Sequence, residues 1–216
     1  MIRILLADDH PLTRAGLVAW LEKEERFELV GQALDGESAW SEILRLLPDV
    51  ALLDIEMPGL NGIEVARRIR KEQLPVGVLM LTAWSAQQYV MASVQAGAKG
   101  YILKTAPFEQ LHRAICDVAK GIFYLDASVS LTESLDFIEP LSAREKEVLL
   151  LTAQGLPGHA AAKRLSITER TVQAHLTSAY GKLGGRNKTE AILLALKRGV
   201  ILLDELNVEQ EIRDMD

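Results

Sequence analysis

Val50-Ala-Leu-Leu-Asp54-Ile-Glu-Met-Pro-Gly-Leu-Asn-Gly62 opens on a short apolar run, stops at a carboxylate and continues through turn-forming residues. Four consecutive apolar residues closed by Asp54 predict a strand buried on both faces. After Asn61 and Gly62 the periodicity changes, and Ile63, Ala66 and Ile69 share one helical face. The stretch therefore reads as strand, polar loop and helix, with Asp54 at the strand's carboxyl end.

Outward from this unit the same pattern repeats. Ile2–Ala7 runs into Asp8 and Asp9, and His10 opens a helix over Pro11–Lys23 that places Leu17, Trp20 and Leu21 on one side. Phe27–Ala33 alternates as a strand, and Asp35 is placed to cap a helix through Leu47. Downstream come a strand over Val76–Leu81, a helix over Ser85–Gln95, a strand over Gly100–Leu103 and a helix over Pro107–Lys120. Five such repeats predict an α/β domain over residues 1–121, a five-stranded doubly wound parallel sheet. Residues 122–138 break the pattern and read as a linker.

Beyond the linker the periodicity is wholly helical. Ser142-Ala-Arg-Glu145 is a capping box starting a helix through Gln154. Ala160–Leu165, a helix capped by Thr168 and running to Leu183, and a last helix from Asn187 to Arg198 closed by Gly199 complete a small four-helix domain over 139–203. Residues 204–216 form an acidic tail.

The charge follows these boundaries. The whole chain carries −6, yet residues 139–203 hold ten basic and five acidic residues, while 204–216 hold six acidic residues and Arg213. A basic module between acidic ones suits a phosphate-bearing partner. No apolar stretch is long enough to span a bilayer, and the N-terminus reads as a strand and not a signal sequence, so a cytoplasmic protein without membrane partners is expected. The single cysteine, Cys116, excludes an internal disulfide.

Open parallel sheets bind ligands at the carboxyl ends of their strands. Here those ends carry Asp8 and Asp9, Asp54, Thr82 and Lys104. Crowded carboxylates repel one another unless a cation joins them, and hard oxygen donors suit Mg²⁺. A lysine and a hydroxyl beside them can bind phosphoryl oxygens, which makes Asp54 the candidate nucleophile for an acyl phosphate.

On these residues the first 121 positions resemble response-regulator receiver domains, whose fold is flavodoxin-like. The resemblance rests on Asp8, Asp9, Asp54, Thr82, Tyr101 and Lys104 and on the loop Asp54–Gly62. It implies Asp54 as phosphoacceptor, with Thr82, Tyr101 and Lys104 in signalling. It further implies Mg²⁺ ligation by Asp9, Asp54 and the Glu56 backbone carbonyl, with Asp8 acting mainly through water. One departure is visible: many receivers place Pro directly after the lysine, whereas Thr105 and Ala106 precede Pro107 here.

Leu141–Leu149, Leu165–His175 and Lys182–Ala191 resemble the LuxR-type helix-turn-helix of the NarL/FixJ group. The implied recognition helix, 169–183, turns Arg170, Gln173, Ala174, Thr177 and Ser178 toward DNA bases, with Lys163, Arg164, Lys182, Arg186 and Lys188 as phosphate contacts. Two departures mark this chain: Gly158-His159-Ala160-Ala161 where Asn-Lys-Glu-Ile is common, and Gln173 where Lys is common.

The two resemblances imply a two-component transcription factor and not an enzyme. Asp54 would be phosphorylated by a sensor histidine kinase, controlling homodimerisation and binding to double-stranded DNA, with RNA polymerase as a further candidate partner. The alternative of an aspartyl phosphatase needs Asp-x-Asp-x-Thr, which Asp54-Ile-Glu-Met-Pro58 does not supply. No zinc motif or phosphate-binding glycine loop is present.

Overall fold

A computed structural model of the chain describes residues 1–129, 141–202 and 204–206. The chain divides into two compact units, the first within residues 1–130 and the bulk of the second within 131–216.

The first unit runs β1 (Ile2–Ala7), α1 (Pro11–Leu21), β2 (Phe27–Ala33), α2 (Gly36–Leu46), β3 (Val50–Leu53), α3 (Gly62–Lys71), β4 (Gly77–Thr82), α4 (Gln87–Ala96), β5 (Gly100–Leu103), α5 (Phe108–Ala119) and β6 (Tyr124–Leu125). All neighbouring strands are parallel, in the order β2-β1-β3-β4-β5-β6. The sheet thus has six strands where the sequence predicts five, and the sixth falls inside the expected linker. Its cause is backbone pairing: Tyr124 N–H donates to the Lys99 carbonyl and Asp126 N–H to that of Tyr101. The buried Asp126 carboxylate then accepts from Leu103 N–H and from Ser128. Residues 130–138 of the expected linker lie outside the described residues.

Alternation sends Ile4 and Leu6 of β1 to one face, where they join Leu52, Leu79, Leu81 and Ile102 against Leu17 and Leu21 of α1 and Leu111, Ile115 and Val118 of α5. On the other face α2 packs against β1 and β2, with α3 beside it. The α2 N-cap Asp35 and the α3 capping box of Asn61 and Glu64 satisfy backbone N–H groups, typically worth about 1 kcal/mol each.

Register positions the strand ends. Ala7 lies opposite Leu53, so Asp8 and Asp54 emerge side by side, and Asp54 N–H donates to the Ala7 carbonyl at 2.9 Å. Thr82 pairs with Leu103, which delivers Lys104 beside it. The loop after β3 doubles back so tightly that a Cβ on Gly62 would sit 2.0 Å from the Asp54 carbonyl oxygen. Only glycine fits there, for close approach and not for a left-handed backbone.

The second unit contains α6 (Ala143–Ala153), α7 (Gly158–Arg164), α8 (Glu169–Leu183), α9 (Lys188–Lys197) and the 3₁₀ turn Asp204–Leu206. Val148, Leu151, Ala161, Ala162, Val172 and Leu176 form one apolar cluster, and Leu149, Leu183, Ala191, Ala195 and Ile201 a second. The small buried side chains of Ala161 and Ala162 seat α7 in the first cluster, and α7 starts at Gly158, two residues before the expected Ala160. Of the acidic tail, 207–216 lies outside the described residues. Glu205 accepts from Lys146 at 2.9 Å and from Leu202 N–H at 2.6 Å.

Candidate functional site

The first unit brings Asp8, Asp54 and Lys104 into direct contact. Lys104 Nζ donates to Asp54 Oδ2 at 2.6 Å and lies 2.8 Å from Asp8 Oδ2. Asp8 and Asp54 are almost wholly buried, at 1% and 4% exposure, whereas Asp9 is partly open to solvent. Asp8 Oδ1 accepts from His10 N–H at 2.8 Å, which orients its carboxylate from the start of α1.

The electrostatics leave Asp54 poorly compensated. Burial pushes its carboxyl above the ordinary range; the Lys104 ammonium opposes that shift, and Asp8 reinforces it. Burial alone would lower the Lys104 ammonium, but its hydrogen bonds to Asp54 and Asp8 outweigh burial and raise it. One ammonium therefore serves two buried carboxylates.

The donor set fits a divalent cation. One ligand atom from each of Asp8, Asp9, His10 and Asp54 lies within 4.8 Å of the others. Asp8 Oδ2 and Asp9 Oδ1 are buried without a hydrogen-bond partner, although Asp8 Oδ2 stands at ion-pair distance from Lys104 and Asp9 Oδ1 from His10. Buried oxygens with unused lone pairs are what a hard cation takes. Glu56 follows Asp54 by two residues in the β3–α3 loop with its side chain exposed.

Thr82 and Tyr101 are fully buried and grip the same residue. Trp84 N–H donates to Thr82 Oγ1 at 3.2 Å, and Tyr101 OH donates to the Trp84 carbonyl at 2.7 Å. Pro107 follows Lys104 through Thr105 and Ala106, and no peptide bond among the described residues is cis. A depression of about 500 Å³ lined by Met1, Ile2, Arg26, Asp49, Cys116 and Lys120 contains none of the expected site residues.

In the second unit Thr168 caps α8 by accepting from Thr171 N–H. Val172, Leu176, Ala179 and Leu183 fix the buried face of α8. Arg170, Gln173, Ala174 and Thr177 form the exposed stripe, at the i, i+3, i+4 and i+7 spacing of one helix face. Lys163, Arg164, Arg186 and Lys188 are also exposed.

Ser178, itself exposed beside Thr177, and the half-buried Lys182 both bond to Glu145. Ser178 Oγ donates to Glu145 Oε1 at 2.6 Å, and Lys182 Nζ to Glu145 Oε2 at 2.9 Å. Ser142 N–H adds a third donor at 2.7 Å, and together these hold the Glu145 carboxyl down at about 2, with the Ser178 hydroxyl contributing most. From the sequence Glu145 reads only as a capping-box partner. Its tertiary role is hidden because its ligands come from α8, 33 and 37 residues away.

Residues 4–116 match the family described as response regulator receiver domain, and residues 139–195 the bacterial regulatory proteins of the luxR family. The chain is 34% identical over 215 residues to the oxygen regulatory protein NreC of Staphylococcus aureus, covering 93% of this chain and 99% of that protein. It is 32% identical over 213 residues to the transcriptional regulatory protein YdfI of Bacillus subtilis, covering 94% and 100%. Among solved structures it is similar to the response regulator RcsB in complex with DNA, at a TM-score of 0.61 and 28% identity over 91% of this chain and 98% of that one. No helix among the described residues is long and apolar enough to cross a membrane. A receiver sheet, a luxR-type helical domain and full-length relatives that regulate transcription agree: the chain belongs to the two-component response regulators of the NarL/FixJ family, transcription regulators and not enzymes.

Proposed function

We propose that Asp54 is the phosphoacceptor and that its phosphorylation by a sensor histidine kinase controls DNA binding by α8. The observation that carries this reading is the crowding of Asp8 and Asp54 around a single ammonium in a buried pocket. Asp9, Asp54 and the Glu56 carbonyl would hold Mg²⁺, with Asp8 through water; bound there, the ion supplies charge neutralisation at the phosphoryl oxygens. An Asp54 carboxylate oxygen attacks phosphorus, the phosphorus–nitrogen bond of the donor breaks, and the donor imidazole leaves with a proton. Lys104 and Thr82 then bind phosphoryl oxygens. Because Thr82 and Tyr101 both hold Trp84, movement of the Thr82 hydroxyl loosens the segment that Tyr101 anchors, biasing the chain toward a homodimer.

The test is phosphoryl uptake from a small phosphodonor with Mg²⁺, read by intact mass. Wild type gains one phosphoryl group and Asp54→Asn gains none; equal uptake by both assigns the chemistry to another residue.

On DNA, Arg170, Gln173, Ala174 and Thr177 are the base-reading set, with Lys163, Arg164, Arg186 and Lys188 on phosphates. Lys182 serves the domain's interior first, through Glu145, while Ser178, bonded to the same carboxylate, stays exposed beside the base-reading set. RcsB has been solved bound to DNA, which supports the same mode here. Recruitment of RNA polymerase would follow from promoter binding. Gln173 prefers adenine, so Gln173→Ala relaxes one base position per half-site and costs about 1–3 kcal/mol on the preferred site. An unchanged selected sequence would remove Gln173 from the groove.

A further inference from the structure

From the sequence, His10 begins the first helix beside the pocket. The geometry gives it a place among the acidic residues. His10 Nδ1 lies 2.7 Å from Asp9 Oδ1, 3.6 Å from Asp8 Oδ1 and 3.9 Å from Asp54 Oδ2. Ligands on opposite sides of one small cation stand about 4–4.5 Å apart. The imidazole nitrogen and the three carboxylates, mutually within 4.8 Å, are therefore near the spread that a single ion requires. Two buried oxygens in the set face charged or titratable groups: Asp8 Oδ2 lies 2.8 Å from the Lys104 ammonium and Asp9 Oδ1 2.7 Å from the His10 ring.

We propose that His10 is a nitrogen ligand in this pocket, so that the receiver binds borderline first-row cations such as Mn²⁺, Co²⁺ and Zn²⁺ through a bond that Mg²⁺ does not use. The inference rests on the reading that the pocket holds a divalent cation. Its chemical basis is donor preference. Mg²⁺ keeps oxygen ligands and several waters, whereas imidazole suits the softer transition ions. Three carboxylates alone leave affinity to charge and size; an added imidazole separates the two classes of ion.

His10 is well suited to exchange between roles. Its side chain is 60% exposed, so the ring can leave Asp9 for an incoming ion without disturbing the core. Its main-chain N–H, and not its side chain, orients Asp8. Substitution of the ring therefore removes the nitrogen while keeping the main-chain bond that orients Asp8.

The experiment uses the full unphosphorylated chain and its His10→Ala form. Mg²⁺ and Co²⁺ are titrated calorimetrically, and bound Mn²⁺ is probed by electron spin echo modulation in protein labelled with ¹⁵N-histidine. Wild type should show ¹⁵N coupling to Mn²⁺ that His10→Ala loses. Co²⁺ affinity should fall at least about tenfold in His10→Ala, while Mg²⁺ affinity stays within about twofold. Mn²⁺ bound without nitrogen coupling, or Co²⁺ affinity equal in both forms, overturns the proposal and leaves the Mg²⁺ reading intact. A parallel loss of Mg²⁺ and Co²⁺ binding also overturns it, since that marks disturbed carboxylates and not a lost nitrogen. Failure of wild type to bind any of the ions removes the cation reading itself, and the proposal with it.

Discussion

Asp54 and Glu145 are both buried carboxylates that accept from a lysine, yet their environments drive them in opposite directions. Glu145 has three donors of its own, the Ser178 hydroxyl, Ser142 N–H and Lys182, and its carboxyl falls to about 2. Asp54 shares Lys104 with Asp8, and burial raises its carboxyl instead. Both side chains have little exposed surface, but desolvation is the largest influence at Asp54, whereas hydrogen bonds, led by that from Ser178, outweigh it at Glu145. A carboxylate whose lone pairs are filled fastens α6 to α8. One left short of donors beside another negative charge is ready to take up a cation and an electrophile.

The contrast breaks most readily at stability. Glu145→Gln removes the charge that three donors surround, and should destabilise the helical domain by about 3 kcal/mol, read as faster hydrogen exchange in α6 and α8. Asp54→Asn should leave the receiver's stability unchanged or raise it, because a carboxyl raised on folding opposes the folded state once ionised. Equal losses in both variants would dissolve the distinction.

Acid sharpens it. The Glu145 carboxyl is lowered on folding from its ordinary value of 4.5, so its contribution is fully present above about 4.5 and drains away as pH falls toward 2. The loss is at most about 3 kcal/mol, at 1.36 kcal/mol per pH unit. Unfolding of the helical domain followed between pH 5 and 2 should show that slope in wild type, and Glu145→Gln should lack it.

Lys182→Met should cost about 1–3 kcal/mol of stability in the helical domain while leaving the salt dependence of DNA binding nearly unchanged. Lys163→Met should do the reverse, lowering the slope of log affinity against log salt by about 0.9 with little effect on stability. A reduced slope in Lys182→Met would return that residue to the phosphate contacts. The smallest effect belongs to Ser178→Ala, about 1 kcal/mol, with the preferred DNA sequence retained.

Much of this was legible in the sequence for a physical reason. Strands buried on both faces appear as unbroken apolar runs, and the chemistry of an open parallel sheet sits where those runs end. Asp8, Asp54, Thr82 and Lys104 could therefore be gathered before any coordinates. β6 could not, because Tyr124 and Leu125 are too few to show a period and join the sheet through backbone pairing, with Tyr124 packed against the core. The same limit applies to Glu145, whose local role in a capping box is visible while its partners on α8 are distant in sequence. His10 reads in the sequence only as the start of the first helix, beside the pocket. The signal present was its adjacency to an acidic pair.

The short sixth strand also governs how the receiver can be cut from the rest of the chain. A fragment ending at Gly121 would strip β5 of Tyr124 and Leu125 and leave Leu103 N–H without its Asp126 acceptor. β5 would then be an open sheet edge with unpaired backbone groups, a template for pairing with other copies. A fragment ending at Val129 keeps a two-residue strand outermost, and edge strands that short offer little for another chain to extend. The first fragment should aggregate on concentration, and the second should remain dispersed.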